Sequence, residues 1–365
     1  MADIVLFGAT GYTGRLTAHA LVERGLAPVL AGRRRDALEA LARDLGGLPV
    51  RVADVADARS VRALVGRGDV LLSTVGPFAR HGRAALEAAL QAKAHYLDST
   101  GEPAFLRLVF EQFDEPARKA GVGVVPAFGY DYVPGHTAAA AALERAGPDA
   151  VRVEIGYFAV GSRFGMSQGT FASLAGALVE PGVFFDGGRR RLGYAGLRSR
   201  RFDVDGRSMS AVSVPGSECL ALPASYPRLR DIDVYLGWFG ALSPAMSALS
   251  RAQVALFAVP GYRRTLAWAA ARLGSSGRGP DEAARAGNGS HVVAIAGDAK
   301  GRPLATAVLR GVNGYTYTAR MLAWGAERAA RRGLKARGAL GPVAAYGLAA
   351  LIDGNREAGL ALTVS

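Results

Sequence analysis

Residues 4–14 set an apolar run, Ile4-Val5-Leu6-Phe7, directly before three glycines spaced three apart, Gly8, Gly11 and Gly14. Such a run fits a strand buried on both faces, and residues 15–22 carry the pattern of a helix. Strand, glycine turn and helix in this order form the first step of a parallel α/β sheet that binds dinucleotide phosphates. In that reading Gly8 permits the tight turn, Gly11 lets the backbone approach a pyrophosphate, and Gly14 lets the helix pack close to the sheet. The helix N-terminus offers free N–H groups and a positive dipole end, with Thr10, Tyr12 and Thr13 as further hydroxyl donors.

The same alternation continues along the first third of the chain. Apolar strands are expected at 4–7, 28–31, 50–53, 70–74, 95–98 and 122–126, with helices at 36–45, 60–65, 81–91 and 105–120 between them. Strands separated by helices pair in parallel, because only a crossover of that length can bring the chain back. The expected fold is α/β: a Rossmann-type parallel sheet domain over 1–148, then an α+β second domain with a mixed sheet over 149–365. In the second domain 151–160 alternates as a strand with one buried face, and further strands are expected at 231–239, 291–296 and 303–310. Helices are expected at 170–178, over most of 243–273 with a break at Pro260-Gly261, and at 315–332, the last returning to the first domain.

The strand ends then suggest the cofactor. A carboxylate after the second strand would favour NAD by accepting from the adenosine ribose. Here the chain reads Gly32-Arg33-Arg34-Arg35, with no carboxylate before Asp36. Guanidinium groups fork onto phosphate, so Arg33 and Arg34 are expected to clamp the ribose 2′-phosphate of NADPH. Asp54, ending the third strand, either faces the adenine or caps the next helix. Thr74, Val75, Gly76, Pro77 and Phe78 end the fourth strand beside the expected nicotinamide ribose, where Phe78 walls the ring or anchors the loop. Asp98 and Glu102 either orient that end of the cofactor or cap a helix. Tyr130, Asp131 and Tyr132 follow the sixth strand on the same edge and are the catalytic candidates.

Composition narrows the rest. Cys219 is the single cysteine, so no internal disulfide forms, and five scattered histidines show no metal-ligand spacing. A reducing, cytoplasmic setting is expected; the first apolar run is too short for the core of a signal peptide. The net charge of +13 does not read as a nucleic-acid footprint, because aromatics do not interleave with the basic runs and no binding motif occurs. Residues 187–202, GGRRRLGYAGLRSRRF, read as a solvated hairpin or as a dock for an acidic partner. Residues 252–262, AQVALFAVPGY, are broken by Gln253 and Pro260 and too short to span a bilayer. They form a packed helix or, flanked by Arg251, Arg263 and Arg264, a peripheral contact with a membrane or an apolar substrate. None of the four lysines has a tyrosine four residues before it, so the acid pair of short-chain dehydrogenases is absent.

These motifs resemble the saccharopine dehydrogenase-like oxidoreductase family, and within it the trans-acting enoyl reductases of polyketide lipid assembly. The stretches that carry the resemblance are GATGYTG (8–14), LAGRRRDAL (30–38), TVGPFARHG (74–82), HYLDSTGE (95–102) and VVPAFGYDYVPG (124–135). SQGTFAS (167–173), GRGPDEAAR (277–285) and VNGYTYTARML (312–322) are looser matches. The family usually has Gly-Phe-Asp-Ser where this chain has Gly129-Tyr130-Asp131-Tyr132, and the two added phenols point to a different substrate.

The resemblance implies an NADPH-dependent reductase acting on a small molecule, free or carrier-bound. For an enoyl substrate, hydride goes to the β-carbon, and the enolate oxygen needs a hydrogen-bond donor while the α-carbon takes a proton. Tyr132 is the first choice for that donor and Tyr130 the second, with Asp131 holding a neighbouring donor; packing in a pocket wall or core is the alternative for each tyrosine. Ser167 and Gln168 are placed to reach the substrate carbonyl. Phe171, Phe184, Phe185, Trp238 and Phe239 supply apolar surface suited to a lipid-like or polyketide substrate. Imine reduction of the saccharopine type and a non-catalytic NADPH-binding regulator stay open, and a homodimer through the second sheet is expected.

Overall fold

The structure is a computed structural model that describes residues 2–161, 180–238, 240–262, 265–266 and 279–365. Ser167, Gln168 and Phe171, the expected helix at 170–178 and Phe239 lie outside the described residues. The chain divides into two compact units. The first comprises Met1–Thr100, Leu108–Asp131 and Gly314–Ala358; the second comprises Gly101–Arg107, Tyr132–Asn313 and Gly359–Ser365. The chain leaves the first unit at Asp131, ahead of the boundary expected near 148, so helix Val133–Ala146 lies in the second.

The first unit is built on seven parallel strands: β1 (Ile4–Phe7), β2 (Val29–Gly32), β3 (Val50–Val52), β4 (Val70–Ser73), β5 (His95–Asp98), β6 (Gly123–Val125) and a late strand, β15 (Gly338–Ala339). Their order is β15-β6-β5-β4-β1-β2-β3. β1 pairs with β2 on one side and β4 on the other, so the order reverses there, which is where open α/β sheets seat their ligands. Val5, Leu6, Leu30, Leu71, Leu72 and Leu97 are fully buried, as expected of a sheet with both faces covered. Helices α1 (Tyr12–Glu23), α2 (Arg35–Asp44), α3 (Ala58–Arg62) and α4 (Phe78–Ala92) fill the crossovers. Helix Gly314–Arg332 packs against α1, β4 and β5 and buries Met321, Leu322 and Trp324.

One expected helix is broken. Within 105–120, a π-helical turn at Val109–Phe113 precedes helix Asp114–Ala120. Pro116 explains it: proline has no N–H to donate, and its ring excludes the carbonyl four residues earlier, so the backbone widens there.

The second unit holds a mixed sheet of nine strands: β7 (Arg152–Gly161), β8 (Gly182–Asp186), β9 (Arg189–Gly193), β10 (Ser199–Val204), β11 (Arg207–Ser213), β12 (Asp231–Leu236), β13 (Asn288–Gly297), β14 (Pro303–Val312) and β16 (Leu360–Val364). The order is β10-β11-β12-β7-β13-β14-β16, with β8 pairing with β12 and β9. Among the described residues only β7 and β12 pair in parallel; the other pairs in this sheet are antiparallel. The basic stretch at 187–202 splits between the β8–β9 hairpin, turned at Gly187-Gly188 with φ of +58° and +75°, and the start of β10. Helix Val133–Ala146 lies on β7, β13 and β14 and buries every residue from Val133 to Leu143. Its run of five alanines, 138–142, lets the helix approach the sheet closely.

Candidate functional site

The turn between β1 and α1 leaves no room for side chains. Gly8 has a φ of +91°, a conformation that favours glycine, and a Cβ there would stand 2.7 Å from Thr74 Oγ1. A Cβ on Gly14 would overlap the carbonyl oxygen of Gly8, and one on Gly11 would press on the same oxygen at 3.3 Å. Gly11 is the N-cap of α1 and contributes no side-chain cap, and no acidic residue occupies the first turn. The first-turn N–H groups of Tyr12, Thr13 and Gly14 have no intrahelical acceptor, which is the donor set a pyrophosphate requires. The N–H groups of Gly8 and Ala9 are already committed to the carbonyl of Ala31, at 2.9 and 3.1 Å. Thr74 Oγ1, 3.2 Å from the carbonyls of both Phe7 and Gly8, ties the end of β4 to this turn. The Tyr12 ring meets Tyr315 edge-on, with centroids 5.2 Å apart.

Beyond β2, Arg33 and Arg34 are exposed and their guanidinium groups have no ion-pair or hydrogen-bond partner among the described residues, whereas Arg35 bridges Glu39 at 3.5 Å. Two uncommitted guanidiniums at this strand end suit a phosphate. Asp54 behaves differently. Its Oδ1 accepts from the Ala56 N–H at 3.0 Å, and its N–H donates to Ser60 Oγ, so the residue is engaged in its own turn. The cap of α3 is Asp57, which accepts from the Arg59 N–H at 3.0 Å. After Thr74, the Val75 N–H points at Ser73 Oγ at 3.5 Å, the Gly76–Pro77 peptide is cis, and Pro77 is the N-cap of α4. Phe78 is buried against Gly76.

Asp98 is fully buried, and its Oδ1 accepts from the N–H groups of Thr100 and Ala127, both at 2.9 Å. Ala127 has a φ of +56°, so this carboxylate holds a strained residue at the start of the loop after β6. In that loop the Tyr130 N–H donates to Thr318 Oγ1 at 2.9 Å, and its buried ring meets Tyr317 edge-on at 6.1 Å. Asp131 has no hydrogen-bond or ion-pair partner among the described residues, and burial pushes its carboxyl up to about 6.

In the second unit Tyr132 joins a set of buried polar groups. Its hydroxyl donates to the Pro215 carbonyl at 3.3 Å, and its ring meets Tyr157 edge-on at 6.0 Å. The Tyr157 hydroxyl lies 2.5 Å from Glu218 Oε1 and 3.1 Å from the Tyr132 carbonyl. His136 Nε2 is 2.9 Å from Ser217 Oγ, and burial pulls the imidazole down to about 3, so it is neutral. Gly135 is obligatory, because a Cβ there would overlap the Tyr157 hydroxyl. Burial and the neighbouring Glu218 push the Cys219 thiol up to about 12, which leaves it inert. His136, Tyr157, Ser217 and Glu218 were not among the candidates from the sequence. The signal was there in Glu218, the one acidic residue in 208–230, and in His136, the one ionisable residue in 133–143.

Comparison with known proteins decides the nature of the first site. The family model for the saccharopine dehydrogenase NADP binding domain matches residues 4–125. Residues 4–125 thus match an NADP-binding domain. The domain's cofactor is therefore NADP(H), in agreement with the two free arginines after β2. A trans-acting enoyl reductase of Mycobacterium tuberculosis is 36% identical over 138 residues, 36% of this chain and 33% of that protein. A lipid droplet localized protein of Caenorhabditis elegans is 33% identical over 144 residues, 36% of this chain and 34% of that one. The aligned stretch thus spans about a third of the length of these curated relatives. Over the whole of both chains, the fold is similar to apo saccharopine dehydrogenase (L-Glu forming) of Saccharomyces cerevisiae, with a TM-score of 0.63 at 14% identity.

Proposed function

We propose that the chain is an NADPH-dependent reductase of a polarised C=C bond in an apolar, lipid-like or polyketide substrate, free or carrier-bound. The observation that carries the reading is the uncapped glycine turn, together with the uncommitted Arg33 and Arg34 beyond β2. The preference for an enoyl substrate draws on the relatives named trans-acting enoyl reductase. When bound, NADPH supplies the hydride. The backbone of Tyr12–Gly14 binds the pyrophosphate, and Thr74 to Phe78 line the ribose side. Arg33 and Arg34 hold the 2′-phosphate.

The chain must also hold a hydrogen-bond donor for the developing enolate and a proton for the α-carbon. Asp131 leads the candidates, because its carboxyl, pushed up to about 6, is the group able to exchange a proton near neutral pH. The Tyr132 hydroxyl already donates to Pro215, and Tyr130 is anchored through Thr318, so the two tyrosines position the loop around Asp131. The test is NADPH oxidation with matched enoyl, imine and carbonyl thioester or amino-acid panels. Turnover of enoyl substrates is expected, and Asp131→Asn is expected to slow it about hundredfold with NADPH affinity unchanged. Turnover confined to imines would replace the C=C reading, and binding without turnover of any panel would make the chain a cofactor sensor.

A further inference from the structure

Helix Ser243–Leu256 in the second unit is turned inside out. Its buried residues are serines: Ser243, whose hydroxyl donates to the Ser210 carbonyl at 3.0 Å, Ser247 and Ser250. The helix packs on β11 and β10 through this polar face, and a Cβ on Gly196 would overlap Ser250 Oγ, so the approach is close. The other side of the helix carries exposed leucines. Leu242 is 67%, Leu249 60% and Leu256 45% exposed, and Val259 just beyond is 52% exposed. Seven residues are close to two helical turns, so Leu242, Leu249 and Leu256 form one stripe. Surface helices normally point this stripe at the core. Four of the eight large aliphatics exposed among the described residues fall in this one segment.

Charge identifies what covers the stripe. Residues 234–280 contain no aspartate or glutamate, and their charged residues are Arg251, Arg263, Arg264, Arg272 and Arg278. Arg251 is exposed at the helix surface, with its Nε donating to the Leu197 carbonyl at 3.0 Å. A second copy of the chain docked about a twofold axis would set this acid-free, arginine-bearing segment against itself. An anionic lipid surface instead takes both features at once: the stripe enters the acyl boundary and the exposed Arg251 guanidinium meets the headgroups. Among the described residues no helix is long and apolar enough to cross a membrane, so the contact lies in the plane of the interface.

We propose that helix Ser243–Leu256 and the turn after it form a peripheral docking surface for anionic lipid. The experiment is flotation of the purified full chain with vesicles of phosphatidylcholine alone and of phosphatidylcholine mixed with phosphatidylserine. Wild type is expected to float with the mixed vesicles and to be released by high salt. The doubly substituted Leu249→Gln/Leu256→Gln chain is expected to bind them at least about tenfold more weakly, since its two changes lie on the exposed face. Its thermal unfolding should match wild type. Equal flotation of wild type and variant would overturn the proposal, as would wild type failing to bind the mixed vesicles or binding both vesicle types alike. A concentration-dependent dimer in sedimentation that the two substitutions dissolve would assign the stripe to a second copy instead, and would also overturn it.

Discussion

The two units spend their polar groups in opposite ways. In the first, the functional donors are first-turn backbone N–H groups with no side-chain cap and the exposed guanidiniums after β2. In the second, the chemically capable side chains are buried and engaged with one another: Tyr157 with Glu218, His136 with Ser217, Tyr132 with the Pro215 carbonyl. A polar group available to a ligand contributes little to folding, whereas a buried satisfied group is costly to disturb. Substitutions in the first unit should therefore move ligand affinity, and substitutions in the second should move stability.

The largest effect expected tests the first half of that contrast. Gly14→Ala puts a methyl group into the Gly8 carbonyl oxygen, which can be relieved only by moving the turn or lifting α1 from the sheet. NADPH affinity measured by calorimetry or fluorescence titration should fall by more than about thousandfold, about 4 kcal/mol. Affinity within about threefold of wild type would show that the turn does not carry the phosphates.

Next comes the buried pair in the second unit. Glu218→Ala removes the acceptor of the Tyr157 hydroxyl and leaves a cavity among fully buried groups. A loss of about 3 kcal/mol is expected in chemical denaturation. NADPH affinity should stay within about twofold in the folded protein. If affinity collapsed while stability held, the cluster would belong to the binding machinery and the contrast would fail.

A smaller effect should separate the two nicotinamides. Replacing both Arg33 and Arg34 by alanine removes two exposed cations that no carboxylate of the described residues engages. NADPH should bind ten- to hundredfold more weakly, about 1.4 to 2.8 kcal/mol, with NADH affinity and unfolding unchanged. Equal losses for both cofactors would place the arginines away from the 2′-phosphate.

Much of the first unit was legible because its information is local. A fully buried parallel strand is a short apolar run, and the turn that follows must be glycine where the backbone crowds, so Ile4–Phe7 with Gly8, Gly11 and Gly14 could be read directly. The second unit yielded β7, β12, β13 and β14, whose apolar residues run in strand patterns, but not β11, β16 or its polar cluster. His136, Tyr157 and Glu218 are far apart in sequence and meet only because helix Val133–Ala146, β7 and helix Glu218–Ser225 pack together. Nothing local in Val151–Val160 distinguishes Tyr157 from an ordinary inward-facing aromatic. The helix at 243–256 was legible, but the choice between a packed and a peripheral face was not, because periodicity reveals an apolar stripe without saying which side of it faces the core. Asp131 was given a supporting role, because burial, which alters its proton affinity, is not visible in its neighbours along the chain.

That burial leads to a last pair of effects, which offset each other in the wild type and emerge only when one of the two groups is replaced. His136 sits at about 3 in the fold and 6.5 when exposed, so below 6.5 the unfolded chain binds a proton that the native one refuses. Its contribution is fully present above 6.5 and drains away as pH falls toward 3, at about 1.4 kcal/mol per pH unit. Asp131 has the opposite sign: at about 6 in the fold against 3.8 unfolded, it lowers stability progressively as pH rises from 3.8 to 6. Between those limits the two trends offset each other in the wild type. Asp131→Asn should expose the histidine's trend, making stability drop more steeply on acidification from 6.5 to 3.8, while His136→Gln should flatten or reverse it. Denaturation midpoints across that range check both, and parallel profiles for the three proteins would mean that the fold alters neither group's proton affinity.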